Sequence, residues 1–217
     1  MTILAKLDRA EPSASARAHR ALTDKIMART LRGGDALVEG RLAAELGISR
    51  TPLREALQRL EGEGLVVKTP HQPYTVRRVD LADYLQSLRV REVLEAEAAA
   101  LATGRVSIAA IDAARKTLLA LEKLDPYDVH AHWASDDEVH RLFIDGCGNA
   151  VMARILYELR ATTRLFETAQ LADRLGPDQR EHLAILDALS AGNADAVRRA
   201  TAAHARSLFR FAVDQMG

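Results

Sequence analysis

Asp136 and His140 stand four residues apart in the segment DDEVHRLFIDGCGN, a spacing that puts both side chains on one helical face. Val139 and Phe143 lie on the same part of that helix. Further along, His182 shares a stripe with Ile185, Leu186 and Leu189, and His204 shares one with Val197, Thr201 and Leu208. One carboxylate and three imidazoles on core-facing stripes are the donor set of a divalent-metal site. Asp137, three residues before His140, is the alternative carboxylate, while His130 and His132 read as surface or pocket-edge residues. A lone histidine on an apolar face reads equally well as a core residue with its own hydrogen-bond partner. Four such groups buried without partners would be costly. The sequence therefore carries two readings, a metal site or a paired polar core.

A different chemistry is written into ELGISRTPLREALQRLEGEGLV, Glu45 to Val66. A helix opening at Ser49-Arg50-Thr51-Pro52 offers two hydroxyls and a guanidinium at its start, and Arg54 follows one turn in. Helix N-termini bind phosphates through free N–H groups and small hydroxyls. A recognition helix enters the major groove by that same end, where an arginine reaches a guanine edge or a phosphate. Pro52 sits in the first turn, where its missing N–H costs nothing. His71 and Gln72 fall at a predicted hairpin tip flanked by Lys68, Arg77 and Arg78. Each residue alone reads as a capped helix with solvated arginines; the set in this order reads as a DNA-contact surface.

These groups need elements to hold them. Ala18, Leu22 and Ile26 mark a helix over about 14–31, broken by RGGD. VEGRLAAELG is a short helix, and the helix opened by Ser49 carries Leu53, Ala56, Leu57 and Leu60 on one stripe. LVVKT and YTVRRV read as two strands around a turn. Helix, turn, helix, hairpin is the order of a winged helix-turn-helix. Helices are then predicted over about 81–102, 107–123, 128–145, 149–172, 177–191 and 194–215, separated by breakers that include Gly176-Pro177. Six amphipathic helices of this length can close an antiparallel bundle. The predicted fold is mainly α: a loose arm over 1–13, a winged helix-turn-helix over 14–78 and an antiparallel all-helical bundle over 79–217.

Composition agrees with that division. Hydrophobic residues make up 48% of the 217 and aromatics 4%, which favours Ala/Leu-packed helices over a sandwich or barrel. Net charge is zero, which argues against a simple nucleic-acid binder, but the halves differ. Residues 1–78 carry 14 Lys and Arg against 9 Asp and Glu, and residues 79–217 carry 16 against 21. A basic module joined to an acidic one follows. No apolar run spans a bilayer. Charges interrupt the stretch where a signal peptide needs an apolar core, and Cys147 is the single cysteine, so a cytoplasmic, nucleoid-associated protein is expected.

LAAELGISRTPLREALQRLEGEGLV, Leu42 to Val66, resembles the GntR family of bacterial transcription regulators, whose pattern runs LA..LGVSRTPVREAL..L..EGLV. The resemblance gives Ser49, Arg50, Thr51, Pro52 and Arg54 the DNA-contact roles, with Arg41 and His71 as further contacts. The sequence departs from the family at Gly33-Gly34, where Pro-Gly is usual. It also departs at Gly40, where an arginine is usual, and at the wing tip, where a glycine is usual. DDEVHRLFIDGCGN, REHLAILDAL and RRATAAHARSL resemble the FCD-type effector domain of the FadR subgroup, and six helices favour its shorter, VanR-like variant. By that resemblance Asp136, His140, His182 and His204 hold a divalent metal, zinc first and nickel or manganese next, beside a small organic acid. Arg91, between Leu88 and Leu94, is the inward arginine that matches a carboxylate; its other reading is an ion pair with Glu95. Arg160 and Arg164 are further pocket-wall candidates.

Three functions follow in order. The first is a homodimeric, ligand-responsive repressor on a pseudo-palindromic operator. The second is a constitutive DNA-binding regulator with a structural metal. The third is a metal-dependent hydrolase or lyase, which would need a general base beyond the ligands; Glu138 points off the ligand face.

Overall fold

In the computed structural model, residues 12–124, 126–166 and 171–214 are described. The arm assigned to residues 1–13 falls outside them except for Pro12 and Ser13. The chain divides into two compact units, one ending at Arg78 and the other starting at Val79.

The first unit holds α1 (Ala14–Met27), β1 (Ala36–Leu37), α2 (Glu39–Leu46), α3 (Arg50–Gly62), β2 (Val66–Lys68) and β3 (Tyr74–Val76). Ser13 caps α1 by accepting from Ala16 N at 3.1 Å. Leu53, Ala56, Leu57 and Leu60 of α3 are fully buried, and α1 packs across them with Ala18, Leu22 and Ile26. Burial of a leucine side chain stabilises by about 1.5–3 kcal/mol, so this one stripe fixes which side of α3 faces outward. Gly47 ends α2 in the left-handed region at φ 63°, which lets the chain turn into α3 within a few residues.

Two predicted details are corrected by the structure. The helix over 14–31 stops at Met27: Arg29 turns to φ 55°, and Leu31 N closes on Lys25 O at 2.9 Å. Among the described residues the sheet has three strands in the order β1-β3-β2, all antiparallel, not two. Strand β1 is only two residues long, too short to show an alternating pattern. It is set up by Gly34, which at φ 94° donates to Val76 O at 2.8 Å.

The second unit holds six helices among the described residues: α4 (Leu81–Ala102), α5 (Ile108–Ala120), α6 (Val129–Gly146), α7 (Ala150–Phe166), α8 (Leu171–Ser190) and α9 (Ala194–Asp214). A 3-10 turn over Leu121–Lys123 follows α5. Most starts are capped by a side chain. Asp80 accepts from Asp83 N, Ser107 from Ala110 N, Asp128 from His130 N and Ala131 N, Asn149 from Met152 N, and Asn193 from Ala196 N. Helix α4 packs against α9, α7 and α6, and α8 packs against α9, α5 and α6. Ala98, Ala99 and Ala102 supply small contacts, with Phe143, Leu156, Ile185, Leu186 and Val197 filling the centre.

The predicted break at Gly176-Pro177 is absent. Helix α8 is described from Leu171 and runs through Pro177; α7 is described to Phe166, and its predicted stretch over 167–170 lies outside the described residues. A proline inside a helix removes one backbone bond. Here Arg174 spans the affected turn, donating to Asp178 from Nε at 3.0 Å and to Glu181 from Nη2 at 2.9 Å. Side-chain ties across the turn and burial on both sides of it hold a helix that local propensity alone would end.

Candidate functional site

Helices α6, α8 and α9 bring Asp136, His140, His182 and His204 together, with one donor atom of each within 4.8 Å of the others. Asp136 Oδ1 lies 3.5 Å from His140 Nε2 and 3.5 Å from His182 Nε2. The imidazole centroids are 5.3 Å (His140–His182), 5.4 Å (His140–His204) and 4.6 Å (His182–His204) apart. All three histidines are fully buried, while the Asp136 side chain keeps 24% of its surface exposed. His140 Nε2, His182 Nε2 and His204 Nε2 are buried with no hydrogen-bond partner. Lone orphaned nitrogens are expensive in a core. Two of these three face one carboxylate oxygen, and with the neighbouring His204 ring the set matches the N/O donors of a divalent cation.

The surroundings keep His140, His182 and Asp136 in their binding forms. Burial pushes the His140 imidazole down to about 4, and Arg160 adds to that shift against the pull of Glu95 and Asp136. Burial also lowers His182 well below the ordinary imidazole range, with His204 and His140 adding to it. For Asp136, burial works against ionisation, yet Arg160, His140 and His182 together hold its carboxyl well below the usual value. Neutral imidazoles beside an ionised carboxylate are the protonation states a metal requires.

Of the two adjacent carboxylates, Asp136 is the one in the cluster. Asp137 turns to the arginines, accepting from Arg160 Nη2 at 3.0 Å and from Arg164. Arg160 Nη2 also donates to Asp136 Oδ2 at 2.5 Å. Beside the cluster is a cavity of about 20 Å³ bordered by Arg91, Trp133, Asp136, Arg160, Thr163 and Arg164. That volume suits one water-sized species. Arg91 borders it but is also engaged: Nε donates to Glu95 Oε1 at 2.9 Å and Nη1 to Thr163 Oγ1 at 2.9 Å. The structure forms the buried Arg91–Glu95 ion pair of one sequence reading and leaves the same guanidinium bordering the cavity. His130 is exposed, whereas His132 is buried at the cavity wall, bonded through Nδ1 to Tyr127 Oη at 2.8 Å.

Sequence reasoning missed the groups behind the donors. Glu181 Oε2 lies 2.8 Å from His204 Nδ1. Glu95 Oε1 lies 3.4 Å from His140 Nδ1, within ion-pair reach but not aligned as a hydrogen bond. Glu181 adjoins His182, so the signal was an acidic residue next to a ligand. It points to a different histidine from its neighbour, which one helix's periodicity could not reveal.

In the first unit, Ser49, Arg50, Thr51 and Arg54 are exposed at the start of α3, and Pro52 is half-buried. Ser49 has the extended backbone of an N-cap, but its hydroxyl accepts no helix N–H. Its oxygen is not spent on the helix. Arg54 Nε pairs with Glu39 Oε2 at 2.7 Å, and the Arg50 guanidinium lies beside Gly40. Arg41 is exposed on α2. His71 is exposed at the wing tip with φ 62°, the conformation a glycine would adopt at no steric cost. Lys68 Nζ donates to Gln72 O at 2.6 Å and lies 4.6 Å from the Tyr74 ring centre, bracing the tip.

A winged helix-turn-helix joined to an all-helical unit defines a DNA-binding transcription regulator rather than an enzyme. Residues 14–76 match the gntR family of bacterial regulatory proteins and residues 86–207 match the FCD domain. The chain belongs to the GntR family, in the FadR subgroup whose helical half is an FCD domain. It is 29% identical over 194 residues to an uncharacterized HTH-type transcriptional regulator in an unstable DNA locus of Streptomyces ambofaciens, covering 87% of this chain and 80% of that one. It is 29% identical over 159 residues to the Nta operon transcriptional regulator of Aminobacter aminovorans, covering 71% and 74%. A probable D-xylose utilization operon transcriptional repressor of Paenarthrobacter nicotinovorans is 28% identical over 167 residues, covering 76% and 74%. Among solved structures, E. coli McbR/YncC superposes with a TM-score of 0.70 at 22% identity, covering 95% of this chain and 100% of that one. A GntR regulator from Rhodococcus sp. RHA1 gives 0.71 at 22%, covering 94% and 99%. The last two share the fold. Among the described residues, no helix is long and apolar enough to cross a membrane.

Proposed function

We propose that this regulator is a cytoplasmic, nucleoid-associated repressor that leaves its operator when a small carboxylate binds beside a divalent metal in the helical unit. The observation that carries the reading is the set of three buried, unpartnered Nε2 atoms gathered around Asp136. Asp136, His140, His182 and His204 hold the metal, with zinc favoured by the nitrogen-rich set and nickel or manganese as alternatives. When bound, the cation supplies a Lewis-acid anchor for one carboxylate. Arg91 and Arg160 at the cavity wall supply guanidinium donors to the same ligand. Ser49, Arg50, Thr51, Pro52 and Arg54 contact operator DNA, with Arg41 and His71 at the flanks. Two copies place two such helix ends on a pseudo-palindromic site. The six helices of the second unit suit the shorter, VanR-like form of the FCD domain. Repression accords with the relative described as a D-xylose operon repressor.

Release by a ligand requires that the ligand bind the DNA-incompetent state more tightly. Fluorescence anisotropy of the full chain on DNA from its own upstream region tests this, with and without zinc, across a panel of small carboxylic acids. One acid is expected to weaken DNA binding at least about fivefold, a coupling of about 1 kcal/mol, only when zinc is present.

The cavity of about 20 Å³ favours a second reading, a constitutive regulator whose metal is structural. If zinc raises the melting temperature while no acid changes DNA affinity, that second reading replaces the first.

A further inference from the structure

The donors are backed by a second layer of polar groups, hydrogen-bonded to the imidazole behind His204 and at longer, unaligned reach behind His140. Behind His204 of α9, Glu181 of α8 places Oε2 2.8 Å from Nδ1, and Arg174 Nη2 donates to that oxygen at 2.9 Å. Behind His140 of α6, Glu95 of α4 places Oε1 3.4 Å from Nδ1, and Arg91 Nε donates to that oxygen at 2.9 Å. In each case an arginine fixes a glutamate, and the glutamate faces the Nδ1 side of an imidazole carried by another helix. The opposite nitrogens, His204 Nε2 and His140 Nε2, are buried without partners, and His140 Nε2 lies 3.5 Å from Asp136 Oδ1.

A neutral imidazole carries one proton, on either nitrogen. A carboxylate beside Nδ1 selects the form with Nδ1 protonated and leaves the Nε2 lone pair free. We infer that Glu181 and Glu95 are positioning residues that turn Nε2 of His204 and His140 toward the metal, with Arg174 and Arg91 holding the two glutamates in place. The inference rests on the metal reading proposed above.

Asp178, Glu181 and His204 also have donor atoms within 4.8 Å of one another and could be taken for a second metal site. Arg174 argues against it. Its guanidinium donates to Asp178 at 3.0 Å and to Glu181 at 2.9 Å, and its Nη1 to Ser207 Oγ at 3.0 Å. The positive charge that those carboxylates need is therefore resident in the protein, and the trio serves the first site. Asp178 extends the layer outward, with Oδ2 3.4 Å from His132 Nε2.

The test is a zinc titration of the full chain in competition with a chromophoric chelator, on wild type, Glu181→Ala and Glu181→Gln. Visible absorption of the cobalt(II)-loaded proteins is the second readout. Loss of an outer carboxylate weakens metal affinity by about 10–100-fold, so Glu181→Ala is expected to fall in that range with an altered cobalt spectrum. Glu181→Gln keeps an acceptor for Nδ1–H and loses less. If wild type binds zinc and Glu181→Ala matches it in affinity and spectrum, the inference is overturned while the metal reading stands. It is likewise overturned if Glu181→Ala only lowers the melting temperature of the chelated protein. If wild type binds neither metal, both fail together. Should Glu181→Ala not fold, Glu181→Met decides, since it fills the space without an acceptor for Nδ1–H: an unchanged affinity and spectrum overturn the inference, and a weakened affinity with a shifted spectrum upholds it.

Discussion

The two units place their polar groups in opposite ways. In the DNA-binding unit the residues of interest lie on an exposed helix end, above a stripe of Leu53, Ala56, Leu57 and Leu60 that is fully buried. In the helical unit they lie inside: His140, His182 and His204 are as buried as the leucines around them. The first arrangement separates function from folding, because an exposed side chain can change without disturbing the stripe beneath it. The second ties them together, because every buried charge or imidazole must be balanced by a neighbour or a ligand.

The largest expected effect breaks the buried side. Glu95→Ala leaves the Arg91 guanidinium, only 2% exposed, without its carboxylate. Loss of one partner of a buried pair costs about 3–5 kcal/mol, and urea unfolding of the helical unit is expected to shift by that amount. A shift below about 1 kcal/mol would show that water reaches this pair.

Acid should act on the same unit. The folded imidazole of His140 sits near 4, below the 6.5 of a free one, and that of His182 is also depressed. The unfolded chain therefore takes up protons first. Stability of chelator-treated protein is expected to be full above about pH 6.5 and to fall as pH drops from 6.5 toward 4. Glu95 and Asp136, both held below their ordinary values of 4.5 and 3.8, add a further loss at lower pH. Urea midpoints measured across this range would instead stay level if the histidines were solvated.

The exposed side should respond in binding alone. Arg54→Ala is expected to weaken operator affinity by about 1–3 kcal/mol, roughly 5–150-fold. Its pair with Glu39 is exposed, so the melting temperature should barely move. Anisotropy titration and a thermal melt on one sample separate the two, and a melt that falls with affinity would contradict the division between units.

The smallest effect is the sharpest comparison. Ser49 and Asp128 both occupy N-cap positions, but only Asp128 accepts helix N–H bonds, at 2.8 and 3.1 Å. Asp128→Ala should cost about 1 kcal/mol of stability. Ser49→Ala should cost under about 0.5 kcal/mol and appear mainly as weaker DNA binding. Equal losses of stability in the two variants would mean that the Ser49 hydroxyl is a cap after all.

The fold was largely legible in the sequence because most of it is written in helical periodicity and capping residues. Leu53, Ala56, Leu57 and Leu60 mark their helix without ambiguity. What escaped was set by tertiary contact. Strand β1 is two residues defined by pairing to Thr75 and Tyr74, and α8 passes Pro177 because Arg174 ties its turn to Asp178 and Glu181. In the candidate site, the stripes bearing His140, His182 and His204 could be read helix by helix. Whether Asp136 or Asp137 faces them could not, since adjacent residues differ by one step of the helix and the choice depends on where Arg160 and Arg164 arrive. Glu181 and Glu95 were hidden for the same reason: each serves a histidine on another helix.

The most direct measurement is the metal content of the purified, untagged chain beside that of His182→Ala, by elemental analysis. One divalent metal per wild-type chain is expected, removable by chelation, with a large loss in the variant and DNA binding retained. Equal metal in both proteins, or none in wild type, would contradict the metal site and leave Asp136, His140, His182 and His204 as polar residues of the core.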